Sequence, residues 1–221
     1  MAEFTYRRER HPQTGWHTVC LSYTPSGASK AQSMAQFSTD VGSNLLGLEV
    51  DGIEYLYSGP SLQPGANMTG TPVLYPTPNR VRDGQFTFEG RTFKFAPTRG
   101  IGHSHGLVRN VAWECDEPVI TERSISATTR IVFEPGKSWY EQFPIRHTLE
   151  LTYTLKPNAI RFDFAVHNQD AQRLPFGLAI HPYFNVIGPR ESVRIQIPAL
   201  KWMENINMFP TGRLIDLDKC P

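Results

Sequence analysis

The stretch that decides the fold is LELTYTLKPNAIRFDFAV, residues 149–166. Apolar and polar side chains alternate on both sides of Lys156-Pro157-Asn158, which has the composition of a turn. Because successive side chains of an extended chain point to opposite faces, each half has one apolar face and one polar face. The stretch therefore predicts two strands of an antiparallel sheet.

The same period of two continues along most of the chain. Asp51-Gly52 separates two alternating runs and is a hairpin signal, as is Glu89-Gly90-Arg91. A later alternating run at residues 193–197 predicts a strand, whereas residues 27–36 are small and polar and predict a surface loop. Eighteen prolines and seventeen glycines interrupt the chain too often for long helices. The sequence predicts an all-β protein, an antiparallel β-sandwich in which residues 1–221 form a single domain.

Charge and cysteine content limit the possible functions. Lys and Arg number 22 against 21 Asp and Glu, so no net field would attract nucleic acid or an anionic membrane, and a neutral small molecule is the natural partner. The three cysteines are widely spaced and fit neither a disulfide framework nor a zinc site. No run approaches the roughly 18 apolar residues of a membrane helix. We expect a soluble, cytoplasmic protein, and the sequence specifies no oligomeric state.

One histidine lies in a segment suited to chemistry, PFGLAIHPYFN, residues 175–185. Histidine can donate or accept a proton near pH 7. Pro182 biases His181 toward an extended conformation, which suits the end of a strand whose side chains project into a cleft. Considered alone, the segment is more simply interpreted as a structural histidine beside a strand end, so the decision depends on the rest of the chain.

Two long irregular segments, residues 59–84 and 97–106, separate the predicted strands. Long loops within a compact domain often carry function. Arg80 ends a part of the first segment that is stiffened by prolines, and its guanidinium is suited to binding hydroxyl or carboxylate oxygens. The alternative is an exposed arginine after a turn.

The second segment contains the sequence His103-Ser104-His105. In an extended chain the two histidines share a face, and such a pair can form part of a metal site. The usual third ligand at close spacing is missing, because Glu114 lies nine residues after His105. The pattern favours binding of a polar ligand over binding of a metal, and a solvated loop is the simplest alternative.

Together these segments resemble the aldose 1-epimerase (galactose mutarotase) family. No single motif is decisive, but five occur in the family's order. The matching segments are residues 40–45 (DVGSNL), 70–80 (GTPVLYPTPNR) with the hairpin at 84–90, His105-Gly106 with Trp113 downstream, residues 181–185 (HPYFN) and residues 210–212 (PTG).

The resemblance implies a galactose mutarotase-like β-supersandwich. It also implies interconversion of the α and β anomers of a free aldohexose by acid–base ring opening. His181 would be the catalytic general acid that protonates the ring oxygen, and Arg80 and His105 would bind and orient sugar oxygens. The family uses no metal and no organic cofactor, so the implied partner is a small-molecule sugar.

The sequence departs from the family near its C-terminus. The family's catalytic base is a glutamate that follows a further block of strands, and a sugar-binding aspartate also lies after the Pro-Thr-Gly motif. The given sequence ends nine residues after that motif, and nothing supports Asp216 or Asp218 as the base. We therefore expect an incomplete sandwich without its C-terminal strands, an unknown catalytic base and greatly reduced mutarotase activity.

Three other functions fit parts of the sequence. Without a base, the fold would serve as a carbohydrate-binding β-sandwich that does not turn over its ligand. A hexose-6-phosphate epimerase would need basic residues at the pocket rim, for which Arg82, Arg99 and Arg109 are candidates. A metal-dependent β-sandwich enzyme fits least, because only the two histidines near residue 104 suggest a metal.

Overall fold

The computed structural model describes residues 2–57, 69–98 and 102–217, so parts of both predicted irregular segments lie outside it. The strands, in chain order, are β1 (Glu3–Arg10), β2 (His17–Thr24), β3 (Ser33–Ser38), β4 (Asn44–Val50), β5 (Ile53–Glu54), β6 (Val73–Leu74), β7 (Arg80–Val81), β8 (Gln85–Phe88), β9 (Arg91–Lys94), β10 (His103–Ser104), β11 (Glu114–Cys115), β12 (Val119–Ile120), β13 (Ile125–Phe133), β14 (His147–Lys156), β15 (Ala159–Asn168), β16 (Ala179–Ile180), β17 (Lys201–Ile206) and β18 (Phe209–Asp216). The helical elements are α1 (Ser138–Gln142) and the 3₁₀ turns Arg82–Gly84 and Arg190–Ser192. Within these ranges, no helix is long and apolar enough to cross a bilayer.

Two five-stranded sheets form the body of the molecule. The first has the order β1-β2-β3-β4-β5, and the second has the order β11-β13-β14-β15 with β12 also paired to β13. All of these pairs are antiparallel. The predicted all-β, antiparallel fold is therefore confirmed.

The predicted hairpins are confirmed at their turns. Lys156 pairs with Ala159, so Pro157-Asn158 is a two-residue turn between β14 and β15. Asp51-Gly52 joins β4 to β5, and Glu89-Gly90 joins β8 to β9. Both residues of each of the last two dipeptides have positive φ, which is the turn geometry that matches the twist of paired strands.

The core lies between the two sheets. One face of β14 is fully buried, namely Leu149, Leu151, Tyr153 and Leu155. The ring of Tyr153 stacks on Phe37 of β3 with 4.6 Å between centroids, which joins the second sheet to the first. Its hydroxyl donates to the carbonyl of Ser43, so the buried polar group is satisfied. Burying each such side chain stabilises the fold by roughly 1.5–3 kcal/mol.

Two local predictions are wrong. The predicted surface loop at residues 27–36 runs into β3, where Ala35 is fully buried and pairs with Leu21 and Leu48. Small residues suggested a loop there, although Ser33 begins an inward-facing alternation that Ala35 and Phe37 continue. The predicted strand at residues 193–197 is absent, because within the described ranges no neighbouring strand pairs with it to satisfy its backbone groups.

The C-terminal part of the described chain is largely exposed. An irregular segment, residues 186–200, leads into the hairpin of β17 and β18. Ile195, Ile197 and Leu200 of the irregular segment are 83%, 73% and 90% exposed, respectively. The hairpin is internally braced by ion pairs of Arg213 with Glu204 and of Lys201 with Asp216. This part of the chain therefore contributes little to the core.

Candidate functional site

Two of the predicted site residues, His105 and His181, lie side by side. Their ring centroids are 5.8 Å apart and the rings meet edge to face at 87°. Both residues are half-buried. His105 follows β10 and His181 follows β16, so two short strands from distant parts of the sequence bring the imidazoles together.

The backbone of His181 is fixed by a neighbouring extended segment. Strand β16 pairs with β6, and the pairing continues as the His181 N–H donates to the Pro72 carbonyl at 3.0 Å and the Tyr183 N–H donates to the Gly70 carbonyl at 2.8 Å. Antiparallel pairs use the N–H groups of alternate residues on each side. Pro182, which has no N–H, lies between the two donors, so its missing donor costs no bond to this neighbour.

The opposite edge of the same segment is bonded to the residues that follow β5. The Tyr57 N–H donates to the Tyr183 carbonyl and the Asn185 N–H donates to the Tyr55 carbonyl, both at 2.8 Å. The Asn185 side-chain amide also donates to the carbonyls of Glu54 and Leu56, each at 3.0 Å. Residues 181–185 thus form the middle of three hydrogen-bonded segments.

Replacing Asn185 by alanine is expected to lower the free energy of unfolding by about 1–2 kcal/mol, because two carbonyls lose their side-chain donor. Asn185→Asp is expected to cost more, since a carboxylate would then face the same two carbonyl oxygens. Urea denaturation of the variants measures both losses. Asn168→Ala is the matched control, because the Asn168 side chain also makes two hydrogen bonds, to the Gln172 carbonyl and from the Asp170 N–H, but both are exposed and water can replace them. Equal losses at the two positions would contradict the prediction.

Arg80 lies on β7, and His105 directly follows β10, the strand paired with β7. Ser104 pairs with Arg80 across β10 and β7, and the His105 N–H donates to the Asn79 carbonyl at 2.8 Å. The chain then turns back, with φ of +65° at His105 and +70° at Gly106. Gly106 lies so close to the backbone of Tyr75 that a Cβ would be 2.5 Å from the Tyr75 carbonyl carbon. Glycine is therefore required directly after the site histidine.

The guanidinium of Arg80 makes a weak contact in this structure. Its Nη2 donates to the Met208 sulfur at 3.2 Å, and the neighbouring Arg82 guanidinium lies 4.7 Å from the centroid of the Phe209 ring. Met208 lies in the turn of the β17–β18 hairpin, and Phe209 is the first residue of β18. Because a thioether is a poor acceptor, a ligand oxygen would compete well for Arg80.

His103 and His105 have different surroundings. The His103 ring is buried against Phe95 with 4.9 Å between centroids, and its Nδ1 bonds to the Ala96 carbonyl at 2.8 Å. The positive φ at His105 ends the extended geometry that the prediction assumed. In the part of the chain that the structure describes, no group of three His, Cys, Asp or Glu side chains is placed to hold a metal ion.

The surroundings of His105 favour its neutral form. Burial lowers the pKa of His105, and the nearby positive charges of Arg109, His181 and Arg80 lower it further. Its Nδ1 is buried and has no partner within the described residues. A neutral imidazole with an unused nitrogen can donate to or accept from a hydroxyl group.

Tyr183 is a site residue that the sequence analysis did not single out. Its ring stacks on His181 with 4.9 Å between centroids and 21° between planes. The signal was present, because residues two apart in an extended segment point to the same side.

Arg109 was named only for a phosphate site, yet it lies near both His105 and Tyr183. Asp216, one of the two late acids, is on the exposed hairpin in an ion pair with Lys201, and Asp218 lies outside the described residues.

Comparisons with known proteins agree with this architecture. A family model described as aldose 1-epimerase matches residues 28–221. The plasmid and chromosomal LacX proteins of Lactococcus lactis subsp. lactis are each 26% identical over 194 residues, which are 84% of this chain and 60% of theirs. The chain therefore spans less than two thirds of the length of these relatives.

Solved structures show the same fold. A galactose mutarotase-like protein from Clostridium acetobutylicum superposes with a TM-score of 0.81 at 22% identity, covering 96% of this chain and 65% of that one. A galactose 1-epimerase from Lactobacillus acidophilus NCFM superposes with a TM-score of 0.75 at 15% identity, covering 99% and 64%. At these identities the likeness establishes the β-supersandwich alone.

Proposed function

Because the chain belongs to the aldose 1-epimerase family, we propose that its site binds a free aldohexose and acts on the anomeric carbon. The observation that carries the proposal is the approach of His105 to His181, with Arg80 on the strand paired to β10. Three side chains that can donate to oxygen thus converge from separate segments. A sugar presents several oxygens around one ring, which suits such a set.

Interconversion of α and β anomers needs one acid and one base. The acid protonates the ring oxygen while the base removes the proton of the C1 hydroxyl, and the bond from C1 to the ring oxygen breaks. Rotation about C1–C2 then exposes the other face of the aldehyde, and the ring closes with both protons returned. An imidazole that changes charge near pH 7 suits the acid.

We assign the acid to His181 and sugar binding to Arg80 and His105. The lowered pKa of His105 supports a hydrogen-bonding role, since an imidazole that stays neutral would not compete with His181 for the proton. The guanidinium of Arg80 would stabilise negative charge that builds on a sugar oxygen. The catalytic base has no assignment, because no described carboxylate is hydrogen-bonded to either ring.

The lack of an assigned base among the described residues favours a second function, sugar binding without turnover. A hexose-6-phosphate substrate has less support, since Arg82, one of the three candidate basic residues, contacts the Phe209 ring, although Arg109 does lie near His105. Arg99, the third candidate, lies outside the described residues. A cytoplasmic location is also proposed, on the strength of the free thiols of Cys20 and Cys115. Burial raises the pKa of both thiols, which keeps them unreactive.

Polarimetry on freshly dissolved α-D-glucose and α-D-galactose tests the proposal, alongside calorimetric titration with each sugar. We expect sugar binding that Arg80→Ala weakens by at least tenfold, and a small rate increase that His181→Asn removes. Adding formate as an external base should raise the His181-dependent part of the rate. His167→Gln, a change at an exposed histidine outside the site, is the matched control.

Each outcome separates the alternatives. Binding without any His181-dependent rate, with or without formate, would leave a sugar-binding module. Full catalysis without formate would show that the chain already contains a base. Absence of both binding and rate enhancement would refute the assignment of the site to sugars.

A further inference from the structure

Tyr183 forms one wall around the imidazole proposed as the acid. The two rings are nearly parallel, at 21°, and their centroids are 4.9 Å apart. His105 is the second ring beside His181, with 5.8 Å between centroids and 87° between the planes. Rotation of the His181 ring would have to displace one of these two aromatic neighbours, so both restrict its plane.

The backbone that carries Tyr183 is unusually well held. Its N–H donates to the Gly70 carbonyl and its carbonyl accepts from the Tyr57 N–H, both at 2.8 Å, while the Gly70 N–H donates to the Tyr57 carbonyl at 2.9 Å. Gly70 itself lies against the backbone of Leu45 and Leu46 in a left-handed conformation, with φ of +67°. Because this backbone is held on both sides, the Tyr183 ring has a fixed position.

The positive charges near the Tyr183 ring give this ring a second, electrostatic effect on His181. Two described groups near this cluster are positive, since Arg80 and Arg109 both lie close enough to His105 to lower its pKa. These two positive charges do not stabilise a protonated imidazole. The π face of an aromatic ring, in contrast, attracts it. The tyrosine hydroxyl is not suited to act as the base, because burial raises its pKa and the group stays protonated near pH 7.

We propose that Tyr183 is a positioning residue whose ring, and not its hydroxyl, holds the His181 imidazole in the plane from which it can deliver a proton to the sugar ring oxygen. This inference rests on the proposed function for the direction of the proton. The stacking itself depends only on the two side chains and on the segment that carries them.

Two substitutions separate the ring from the hydroxyl. Tyr183→Phe keeps the stacked ring, whereas Tyr183→Leu keeps a large apolar side chain without it. In proton NMR of the chain, the carbon-bound ring protons of His181 should be shifted upfield by the facing ring, and His181→Gln identifies them by their loss. We expect the upfield shift in the wild type and in Tyr183→Phe, and its loss in Tyr183→Leu. The resonances of the core residue His147 should stay unchanged in all three and so report that the fold is kept.

Kinetics give the second readout. Tyr183→Leu is expected to lower the His181-dependent turnover, measured in formate, by about tenfold with little change in the Michaelis constant, because the sugar contacts remain and only the acid is misaligned. Tyr183→Phe should stay within about threefold of the wild type.

The outcomes are decisive in both directions. An unchanged His181 shift in Tyr183→Leu, or a loss of turnover in Tyr183→Phe as large as in Tyr183→Leu, would overturn the inference. Were the wild type neither to bind nor to turn over a sugar, the proposed function would fail and the inferred role in proton delivery would fail with it. The NMR comparison would in that case still decide whether the Tyr183 ring orients His181.

Discussion

Gly106→Ala is expected to destabilise the folded chain by about 3 kcal/mol or more. Two effects add: a left-handed conformation costs a non-glycine residue about 1–2 kcal/mol, and forced overlap in a packed interior costs about 1–3 kcal/mol. Gly106 has φ of +70°, and its Cβ would be 2.5 Å from the carbonyl carbon and 2.8 Å from the nitrogen of Tyr75. Those are backbone atoms, which cannot rotate away as a side chain would.

Urea denaturation of Gly106→Ala and Gly90→Ala measures the steric part separately. Gly90 has φ of +77°, and nothing lies within 4 Å of its Cβ position. Gly90→Ala is therefore destabilised only by the left-handed backbone conformation. We expect a loss of about 1–2 kcal/mol at Gly90. The Leu107 N–H donates to the Tyr75 carbonyl, next to the position where the added Cβ would overlap the Tyr75 backbone. The residues around His105 should therefore also shift. Similar losses at both positions would show that the approach of Gly106 to Tyr75 is not tight.

The second large effect is a loss of stability in mild acid caused by His147. This histidine is fully buried, its ring stacks on Phe133 with 4.0 Å between centroids, and burial lowers its pKa from 6.5 to about 4. Above pH 6.5 the ring is neutral in both states and the full stability is present. As the pH falls from 6.5 to 4, the unfolded chain takes up the proton first, so the free energy of unfolding decreases by about 3 kcal/mol in total.

His147→Phe should remove this part of the pH dependence, because an apolar ring can stack on Phe133 without titrating. The measurement is the free energy of unfolding between pH 7 and pH 4, and the slope is compared rather than the absolute value, since the variant also loses the bond from Nδ1 to the Ile145 carbonyl. His167→Gln, at an exposed histidine, should keep the wild-type slope. A wild-type slope in His147→Phe would contradict the assignment.

Local signals made much of the fold predictable. The hairpin at residues 149–166 shows its period and its turn within eighteen residues, and both strands are present as expected. The strand predicted at residues 193–197 has the same period but no partner in the described chain, and alternation alone cannot supply one. The strand β3 was missed in part because alanine facing the core looks like a small loop residue.

The site could be predicted only as a set of residue types. His105 and His181 are 76 positions apart, and their contact depends on the register of β16 on β6 and of β10 on β7. The fit of Gly106 against Tyr75 also contributes, and no short stretch of sequence encodes it. The resemblance to a family supplied the candidates, whereas the distances and the stacked Tyr183 required the structure.

The central position of residues 181–185 has a consequence for how the protein can evolve. Its fixed backbone bonds run to main-chain groups of residues 70–72 and 55–57, so the side chains of those residues can vary without moving the imidazole. Segment length has no such freedom. Inserting or deleting one residue in either partner would change the register, and a shift of one residue turns a side chain to the opposite face. Natural or laboratory variation around this site should therefore consist of substitutions, with insertions and deletions confined to the turns beyond it.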